Sequence, residues 1–370
     1  MNRLRVRYRL RDVDGDPERR ACQLAREQTV EIPEGVVAAE VEARSIGEVE
    51  SVAATGEGGF DALVSYPVAA TGGELPQLLN VLLGNASLFS GVRVEAVEWP
   101  AELLSGFAGP AFGVAGLRRL CGADERPLTA TALKPMGLSA RELGRLAAEC
   151  ALGGIDLIKD DHGLADQAWA PFRERVLVVQ GLVERANRAS GGSTVYAPNL
   201  TGPVDRLAER LEDLAAAGVR AALVAPMLLG LDAVRALAAS SGLALVAHPA
   251  LAGALVSAGR GFAPEVLFGD LFRLAGSDAV IFPNAEGRFP FTYDHCRAIE
   301  RQLQRPLGAL APAFLVLGGG VDAARLATWI PRYGPDVVWL VGGALYARAD
   351  LRAAAAEMAE RVRRVPAGAP

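Results

Sequence analysis

Lysine is scarce in this sequence. Lys and Arg together number 38 among 370 residues, and only two of them, Lys134 and Lys159, are lysines. Arginine stays protonated in proteins, whereas a buried lysine can be neutral near pH 7 and act as a base or nucleophile. Both lysines lie at the ends of short apolar runs, TATALKP (129–135) and IDLIKDD (155–161). We therefore predict that the two lysines belong to one active site.

Other features are missing as well. No apolar run approaches the ~18 residues of a membrane span, and the polar start MNRLRVRYRLRD is unlike a signal peptide. A net charge of −5 without long basic runs argues against nucleic-acid binding. The four cysteines lack metal-type spacing and are expected to be reduced, buried thiols: Cys22, Cys121, Cys150 and Cys296. These observations predict a cytoplasmic protein without a membrane or nucleic-acid partner.

From about Thr129 onward, strand-like segments alternate regularly with helical ones. The strand candidates are continuous apolar runs, which indicates a parallel sheet covered on both faces. Eight candidates are present: 129–135, 156–161, 194–200, 221–228, 243–250, 279–284, 314–320 and 337–343. Helical stretches follow them, for example 139–152, where Ser139 and Glu142 form a capping box, 203–218 and 350–364. Eight such units predict a (β/α)8 TIM barrel over residues 119–370.

The residues before the barrel have a different pattern. Four segments are strand-like (4–11, 40–52, 60–68 and 92–100) and two are helix-like (19–30 and 75–86). This interleaving predicts a small α+β domain of the ferredoxin-like type, with an antiparallel sheet, over residues 1–118.

Polar residues follow the predicted barrel strands, at the end where TIM barrels carry their active sites. They are Lys134, Lys159 to His162, Asn199, His248 and Asn284. Side chains alternate along a strand, so Lys159 and Asp161 share one face and Asp160 points away. Two interpretations remain open for this segment. Lys159 either forms an ordinary ion pair, or reacts as a neutral amine with CO2 and, as a carbamate, holds a divalent cation together with Asp161.

Glycine clusters follow the last two predicted strands, at Gly318–Gly320 and Gly342–Gly343. Glycine permits a close backbone approach, and peptide N–H groups there can bind a phosphate. The plainer alternative is that these glycines only make tight turns.

These motifs resemble the RuBisCO large-subunit superfamily over nearly the whole chain. The segments that carry the resemblance are KPMGLS (134–139), GGIDLIKDDHG (153–163), GN (84–85), EGRF (286–289), GGG (318–320) and VGGAL (341–345). The resemblance implies a small α+β domain followed by a TIM barrel. It also implies Mg²⁺ bound through a Lys159 carbamate made from CO2, with Asp161 and His162 as the other ligands.

The same resemblance assigns the remaining site residues. Lys134 handles the proton during enolisation, and His248 lies near the substrate. Glu42 and Asn85 complete the site from the partner subunit of a homodimer. The backbone of Gly319, Gly320, Gly342 and Gly343 holds a phosphate of the sugar-phosphate substrate.

Five departures from the carboxylase pattern narrow the function. His162 replaces a glutamate ligand, Met136 the second lysine of the KPKLGLS motif, and Arg288 the mobile-loop lysine. Pro249 and Ile281 replace side chains that hold a second phosphate. The chain therefore resembles the RuBisCO-like proteins (form IV), which do not fix CO2, and its expected substrate has at most one phosphate.

Two reactions fit this pattern, and both pass through an enediolate or enolate. One is enolisation or isomerisation of a phosphorylated keto-sugar. The other is decarboxylation of a keto-sugar acid by a Mg²⁺-dependent lyase, which the KDDHG variant slightly favours. A metal-free sugar-phosphate-binding protein that has lost catalysis is the competing class.

Overall fold

The computed structural model describes residues 2–364, apart from Asp12, Asp14, Glu57, Ala258 and Asp322. The chain divides into two compact units. One comprises Met1–Ala108, Leu251–Leu271 and Pro306–Leu310, and the other Gly109–Ala250, Phe272–Arg305 and Ala311–Pro370. This division differs from the sequence prediction of 1–118 and 119–370.

The physical reason for the difference is a helix at Gly113–Cys121, which the predicted boundary cuts. Its buried residues Val114, Leu117 and Cys121 pack in the apolar cluster formed by the barrel strands. The helix therefore belongs with the barrel from its first turn.

The first unit contains a four-stranded antiparallel sheet extended by a two-residue strand. Its strands are Arg3–Leu10, Glu48–Ala54, Phe60–Pro67 and Val92–Glu98, with Gly261–Phe262 added parallel to the last. Its helices are Pro17–Glu27, Ala39–Ser45, Leu75–Leu83 and Ala101–Leu104. The first four strands lie in the order fourth, first, third, second. That order, with helices between the first and second strands and a helix between the third and fourth, confirms the ferredoxin-like prediction.

One predicted strand of this unit is partly wrong. Residues 40–52 form the helix Ala39–Ser45 and only then the strand Glu48–Ala54. The helical part buries none of its side chains and is rich in Ala, Glu and Arg. These residues favour a helix when burial in a sheet offers no compensation.

The second unit is a barrel of eight parallel strands, as predicted. The strands are Leu128–Leu133, Leu157–Asp160, Val195–Ala197, Ala221–Val224, Ala244–Ala247, Ala279–Pro283, Phe314–Gly318 and Val337–Leu340. Seven neighbouring pairs form one continuous sheet. A parallel bridge between Asn199 and Leu223 joins its two edge strands. The predicted strand 221–228 ends at Val224, because Pro226–Leu229 forms a helical turn.

Alternate residues of these strands fill the barrel interior. The buried apolar cluster includes one or two residues from each strand, among them Ala130, Leu157, Val246 and Ile281. This layer fixes which face of each strand points inward, and therefore which side chains enter the barrel mouth where the strands end.

Helices cover the barrel strands. They are Gly113–Cys121, Ala140–Leu152, Phe172–Ser190, Leu207–Ala216, Pro226–Leu229, Leu231–Ser240, Phe272–Leu274, Tyr293–Gln304, Leu326–Trp329, Gly343–Tyr346 and Leu351–Arg364. The predicted capping box at Ser139 and Glu142 is present. Among the helices of the described residues, none is both long and apolar enough to span a membrane.

The cysteine prediction needs one correction. All four thiols are free, and Cys121, Cys150 and Cys296 are buried as expected, but Cys22 is exposed. Cys22 lies on the outer face of the helix Pro17–Glu27, whose buried side is formed by Ala21, Leu24 and Ala25.

Candidate active site

At the carboxyl ends of the barrel strands, several of the residues that point inward are polar. Lys159 is two residues beyond the interior residue Leu157, and Asp161 is two beyond Lys159. In the same way His248 follows the interior residue Val246 on the fifth strand. Alternation along the strands thus brings these side chains to one end of the barrel, as predicted.

Lys159 is the buried lysine of the pair. It is 3% exposed, and its Nζ donates to the carbonyl oxygen of Asp160 at 3.0 Å. Burial disfavours the ammonium and lowers the pKa of Lys159 to about 8. The carboxylates of Asp161 and Asp160 oppose this shift, and the charge of Lys134 adds to it. A neutral amine is therefore accessible at Lys159 close to physiological pH.

Lys134 and Asp161 form the ion pair of the site. Lys134 Nζ lies 2.9 Å from Asp161 Oδ2, and His162 Nδ1 lies 3.3 Å from Asp161 Oδ1. Burial raises the pKa of the Asp161 carboxyl, but the hydrogen bonds from His162 and Lys134 and the charges of both lysines outweigh it. The pKa of Asp161 therefore lies well below its usual value, and the group is a carboxylate. The sequence left open an ion pair between Lys159 and a neighbouring carboxylate. In the structure the ion pair with Asp161 is made by Lys134.

Two histidines stack at the mouth of the barrel. The rings of His162 and His248 lie 4.1 Å apart at an interplanar angle of 13°. Burial, together with the charge of Lys159, lowers the pKa of His248 to about 2, so this ring is neutral. Its Nδ1 accepts from the N–H of Ala250 at 3.1 Å, which leaves the ring proton on Nε2 as a donor.

Asp160 points away from the barrel interior, as the alternation predicts. Its Oδ2 accepts from Arg175 Nε and from the N–H of Asn199, both at 3.0 Å, and its Oδ1 accepts from Tyr196 Oη at 2.7 Å. Sequence reasoning missed Arg175 and Tyr196. An arginine facing inward from the helix Phe172–Ser190 was the available signal, because a buried guanidinium needs an anionic partner.

Asn199 ties the loop after the second strand to the third strand. Its Nδ2 donates to the carbonyls of His162 at 3.0 Å and Leu164 at 2.9 Å. The side chain is 2% exposed, and its role in this structure is to bind the backbone carbonyls of that loop.

The glycine cluster after the seventh strand packs against the EGRF loop. Gly319 and Gly320 have φ values of 74° and 114°, which side chains rarely adopt. A Cβ on Gly287 would lie 2.4 Å from the carbonyl oxygen of Gly319, so the two backbones touch. Arg288 is exposed and lies over the ring of Phe289.

The second cluster lies beside Lys134. A Cβ on Gly342 would be 3.9 Å from Lys134 Cε, in ordinary contact, and Gly343 begins a four-residue helical turn. The glycine backbone after the eighth strand is therefore a neighbour of Lys134, and its phosphate-binding role stays a prediction.

Glu42 and Asn85 lie in the first unit. Glu42, on the helix Ala39–Ser45, accepts from Arg26 Nη2 at 2.9 Å. Asn85 is exposed in the short turn Asn85–Leu88, and its Nδ2 donates to Glu27 Oε1 at 3.1 Å. Their predicted role in a partner subunit's site stays a prediction.

The side chains at the barrel mouth fit a divalent cation if Lys159 is carbamylated. Within the described ranges, no three His, Cys, Asp or Glu side chains group closely enough to hold a metal ion. Asp161 and His162 supply one oxygen and one nitrogen donor, and a carbamate on the buried amine of Lys159 would add the third ligand. Carboxylate-type oxygens suit Mg²⁺, whereas the imidazole also suits Mn²⁺ or Zn²⁺.

The fold and motifs identify the family. Residues 113–364 match the family model of the ribulose bisphosphate carboxylase large chain, catalytic domain. The chain belongs to the RuBisCO large-chain family. Its sequence is 40% identical to that of a RuBisCO-like protein from Rhodopseudomonas palustris whose crystal structure is known. The two structures superpose with a TM-score of 0.88, covering 98% of this chain and 97% of that one. The resemblance to RuBisCO-like proteins inferred from the motifs is thereby confirmed.

Several curated relatives are named as enzymes. This RuBisCO-like chain is 42% identical over 352 residues to a 5-methylthioribulose-1-phosphate isomerase from Rhodospirillum rubrum, covering 94% of this chain and 93% of that protein. It is 32% identical over 322 residues to a 2,3-diketo-5-methylthiopentyl-1-phosphate enolase from Geobacillus thermodenitrificans, covering 82% and 78%. Both names describe keto-sugar monophosphate chemistry rather than carboxylation.

Proposed function

We propose that this RuBisCO-like protein isomerises a ketose monophosphate of the 5-methylthioribulose-1-phosphate type and does not fix CO2. The observation that carries the proposal is the meeting of the only two lysines at one barrel mouth. There Lys134 contacts Asp161 at 2.9 Å, and Lys159 is buried beside them with its pKa lowered. The likeness to the named isomerase, over 94% of this chain and 93% of that protein, supports isomerisation in particular.

Lys134 is the proposed proton carrier. Ketose isomerisation removes a proton from a carbon next to the carbonyl and returns one at a neighbouring carbon. The side chain of Lys134 is 37% exposed, so it can reach a bound substrate. A lysine acts as an acid in its ammonium form and as a base in its amine form, so one side chain can both deliver and accept the proton.

His248 is the proposed hydrogen-bond donor to substrate oxygen. Its neutral ring carries the proton on Nε2, as the contact to Ala250 indicates. A neutral imidazole donates to a carbonyl or hydroxyl without adding a competing acid near neutral pH. Stacking on His162 holds the ring plane.

Lys159 is the proposed site of carbamylation. The neutral amine attacks the carbon of CO2, an N–C bond forms, and the nitrogen releases one proton. The carbamate oxygen, Asp161 and His162 would then hold Mg²⁺ or a similar cation. A cation held there would polarise the substrate carbonyl and stabilise negative charge developing on its oxygen.

The glycine backbones would bind the single phosphate: Gly319 and Gly342 are half-buried, Gly320 and Gly343 are exposed, and peptide N–H groups at such positions can bind an anion. Ile281, 5% exposed, belongs to the apolar barrel interior and offers no donor to a second phosphate. We further propose a homodimer in which Glu42 and Asn85 serve the partner subunit's site.

Decarboxylation, the reaction slightly favoured by the sequence, stays a prediction. The two named relatives lend it no support, since both act by enolisation or isomerisation. The metal-free binder is the remaining alternative, and metal binding separates it from the enzyme.

The test combines turnover with metal binding. Purified protein is incubated with bicarbonate and Mg²⁺ or Mn²⁺, then given a ketose monophosphate in D2O, and the products are followed by NMR. We expect an isomeric ketose with deuterium at an exchanged carbon. Carbon dioxide release from a keto-acid phosphate would support the lyase instead, and phosphate-ester binding without metal or turnover would support the binder.

Lys159→Arg is the decisive variant, because arginine cannot form a carbamate. We expect it to fold and to lose turnover by about a thousandfold or more, since a Lewis acid is worth several kcal/mol and each 1.4 kcal/mol is tenfold. Lys159→Met serves as a neutral companion if the buried arginine unfolds the barrel. Near wild-type turnover in either variant contradicts the mechanism.

A further inference from the structure

Behind the site lies a fully buried ionic network. Arg175 and Asp160 are both 0% exposed, and Tyr196 is 1% exposed. Asp160 receives Arg175 Nε at 3.0 Å and Tyr196 Oη at 2.7 Å. Taking such charges out of water is expensive, and only good geometry compensates for it.

Arg175 also binds the loop that carries the site residues. This loop, residues 161–171, connects the second barrel strand to the helix Phe172–Ser190 and includes Asp161 and His162. Arg175 Nη1 donates to the carbonyl of Ala170 at 2.7 Å, and Nη2 to the carbonyl of Ala165 at 2.8 Å. One guanidinium therefore holds the middle of the loop at Ala165, its end at Ala170, and the strand residue Asp160 that precedes it.

Asp160 links this network to Lys159. Its carboxylate is held by Arg175, while its own carbonyl oxygen accepts the Lys159 amine at 3.0 Å. A shift of the Asp160 backbone would therefore move the acceptor of Lys159 and the start of the loop together.

We propose that Arg175 is a positioning residue that holds Asp161 and His162 against Lys134 and His248 by fixing the loop 161–171. Its importance for turnover rests on the proposed function, but the positioning itself does not. The planar fork of arginine suits this role, since its three nitrogens reach three acceptors at once. A lysine would keep the charge opposite Asp160 but lose the fixed geometry.

The test uses Arg175→Lys, with Arg273→Lys as its matched control. Arg273 is 1% exposed and donates to the carbonyls of Ala311, Gln302 and Arg305. It precedes the sixth barrel strand, at the end opposite the site. Both substitutions replace a buried, carbonyl-binding guanidinium, so both are expected to lower the melting temperature.

The readout at fixed pH is NMR of labelled histidine and lysine side chains, without metal or substrate. The chain has three histidines and two lysines, so each signal can be assigned by substitution. We expect Arg175→Lys to shift the His162 and His248 signals as their stack loosens, and to shift the Lys159 signal. His295, which caps the helix Tyr293–Gln304, is the internal reference. Arg273→Lys should leave all site signals in place.

Turnover gives the second readout. We expect Arg175→Lys to lower kcat about 10- to 100-fold, the usual effect of losing a supporting hydrogen-bond partner, with little change in KM. Should it not fold, Tyr196→Phe removes one donor to Asp160 and should shift the same signals less.

Unchanged site signals in the folded variant, or equal shifts in Arg273→Lys, would overturn the proposal. If the wild type lacks isomerase activity, the proposed function fails, and the NMR comparison still decides the role of Arg175.

Discussion

At the residue scale, the two lysines differ in environment, and this difference divides their roles. Lys159 is buried, with its pKa lowered to about 8, whereas Lys134 is partly exposed and paired with Asp161. Burial penalises the charged form of an amine, but a guanidinium stays charged regardless. An arginine could therefore replace neither the reactive amine nor the proton carrier, which explains why lysine persists at these two positions.

The lowered pKa of Lys159 predicts a pH dependence of activation. Only the neutral amine reacts with CO2, so the rate of activation should rise about tenfold per pH unit below pH 8 and level off above it. The measurement is preincubation with metal at constant dissolved CO2, from about pH 6.5 to 9.5, followed by assay at a single pH. Holding CO2 constant separates amine ionisation from bicarbonate chemistry. A flat activation profile would argue against a carbamate at Lys159.

The sequence could predict the shared face of Lys159 and Asp161, because alternation in a strand is a local property. It could not predict that Asp161 pairs with Lys134, or that His162 stacks on His248. Those contacts join the ends of different strands, and their distances depend on how the barrel packs. The contacts of Asp160 with Arg175 and Tyr196 could not be predicted for the same reason.

At the element scale, one carboxylate joins the amino ends of two of the barrel strands to a helix. Asp278 accepts from the N–H groups of Phe112 at 2.7 Å, Gly113 at 2.6 Å and Leu245 at 2.7 Å. It thereby connects the start of the helix Gly113–Cys121 with the fifth and sixth strands. The donors are backbone N–H groups remote from Asp278 in sequence, so no sequence motif predicts this role.

Asp278→Ala should destabilise the protein without affecting chemistry. Two buried N–H groups and the half-buried one of Phe112 lose their acceptor, at roughly 1–3 kcal/mol each, so we expect a loss of about 3 kcal/mol or more in the free energy of unfolding. Denaturant unfolding measures it. Because Asp278 lies at the end opposite the site, kcat well below the melting temperature should stay unchanged. A large fall in kcat with unaltered stability would contradict this assignment.

Local propensity was a good guide to some elements and a poor one to others. The capping box at Ser139 was readable because its partners are three residues apart. The sequence predicts a strand over residues 40–52, but the first of these residues form the helix Ala39–Ser45, whose lack of burial is not visible in the sequence.

At the scale of the whole molecule, the strand–helix rhythm was sufficient to predict the barrel, but the division of the chain was not sequential. Residues Leu251–Leu271 and Pro306–Leu310 belong to the first unit although they lie between barrel strands. Gly261 and Phe262 pair in parallel with Arg93 and Val94, at the edge of the otherwise antiparallel sheet. Such insertions depend on long-range pairing, which apolar periodicity does not report.

The proposed homodimer predicts complementation between two defective chains. If Glu42 and Asn85 serve the partner's barrel, Lys159→Arg damages the barrel half of a site and Asn85→Ala the other half. Each homodimer then has two incomplete sites, whereas the heterodimer has one intact and one doubly defective site. We expect inactive homodimers and a heterodimer with about half the wild-type turnover.

Coexpression with two affinity tags isolates that heterodimer, and light scattering checks its mass. Glu42→Gln offers a second first-unit variant that keeps the size of the side chain facing Arg26. A heterodimer as inactive as its parents, or a fully active monomer, would show that each chain completes its own site. The heterodimer is active only if Lys159 of one chain and Asn85 of the other chain serve the same site, so its turnover distinguishes shared from self-contained sites.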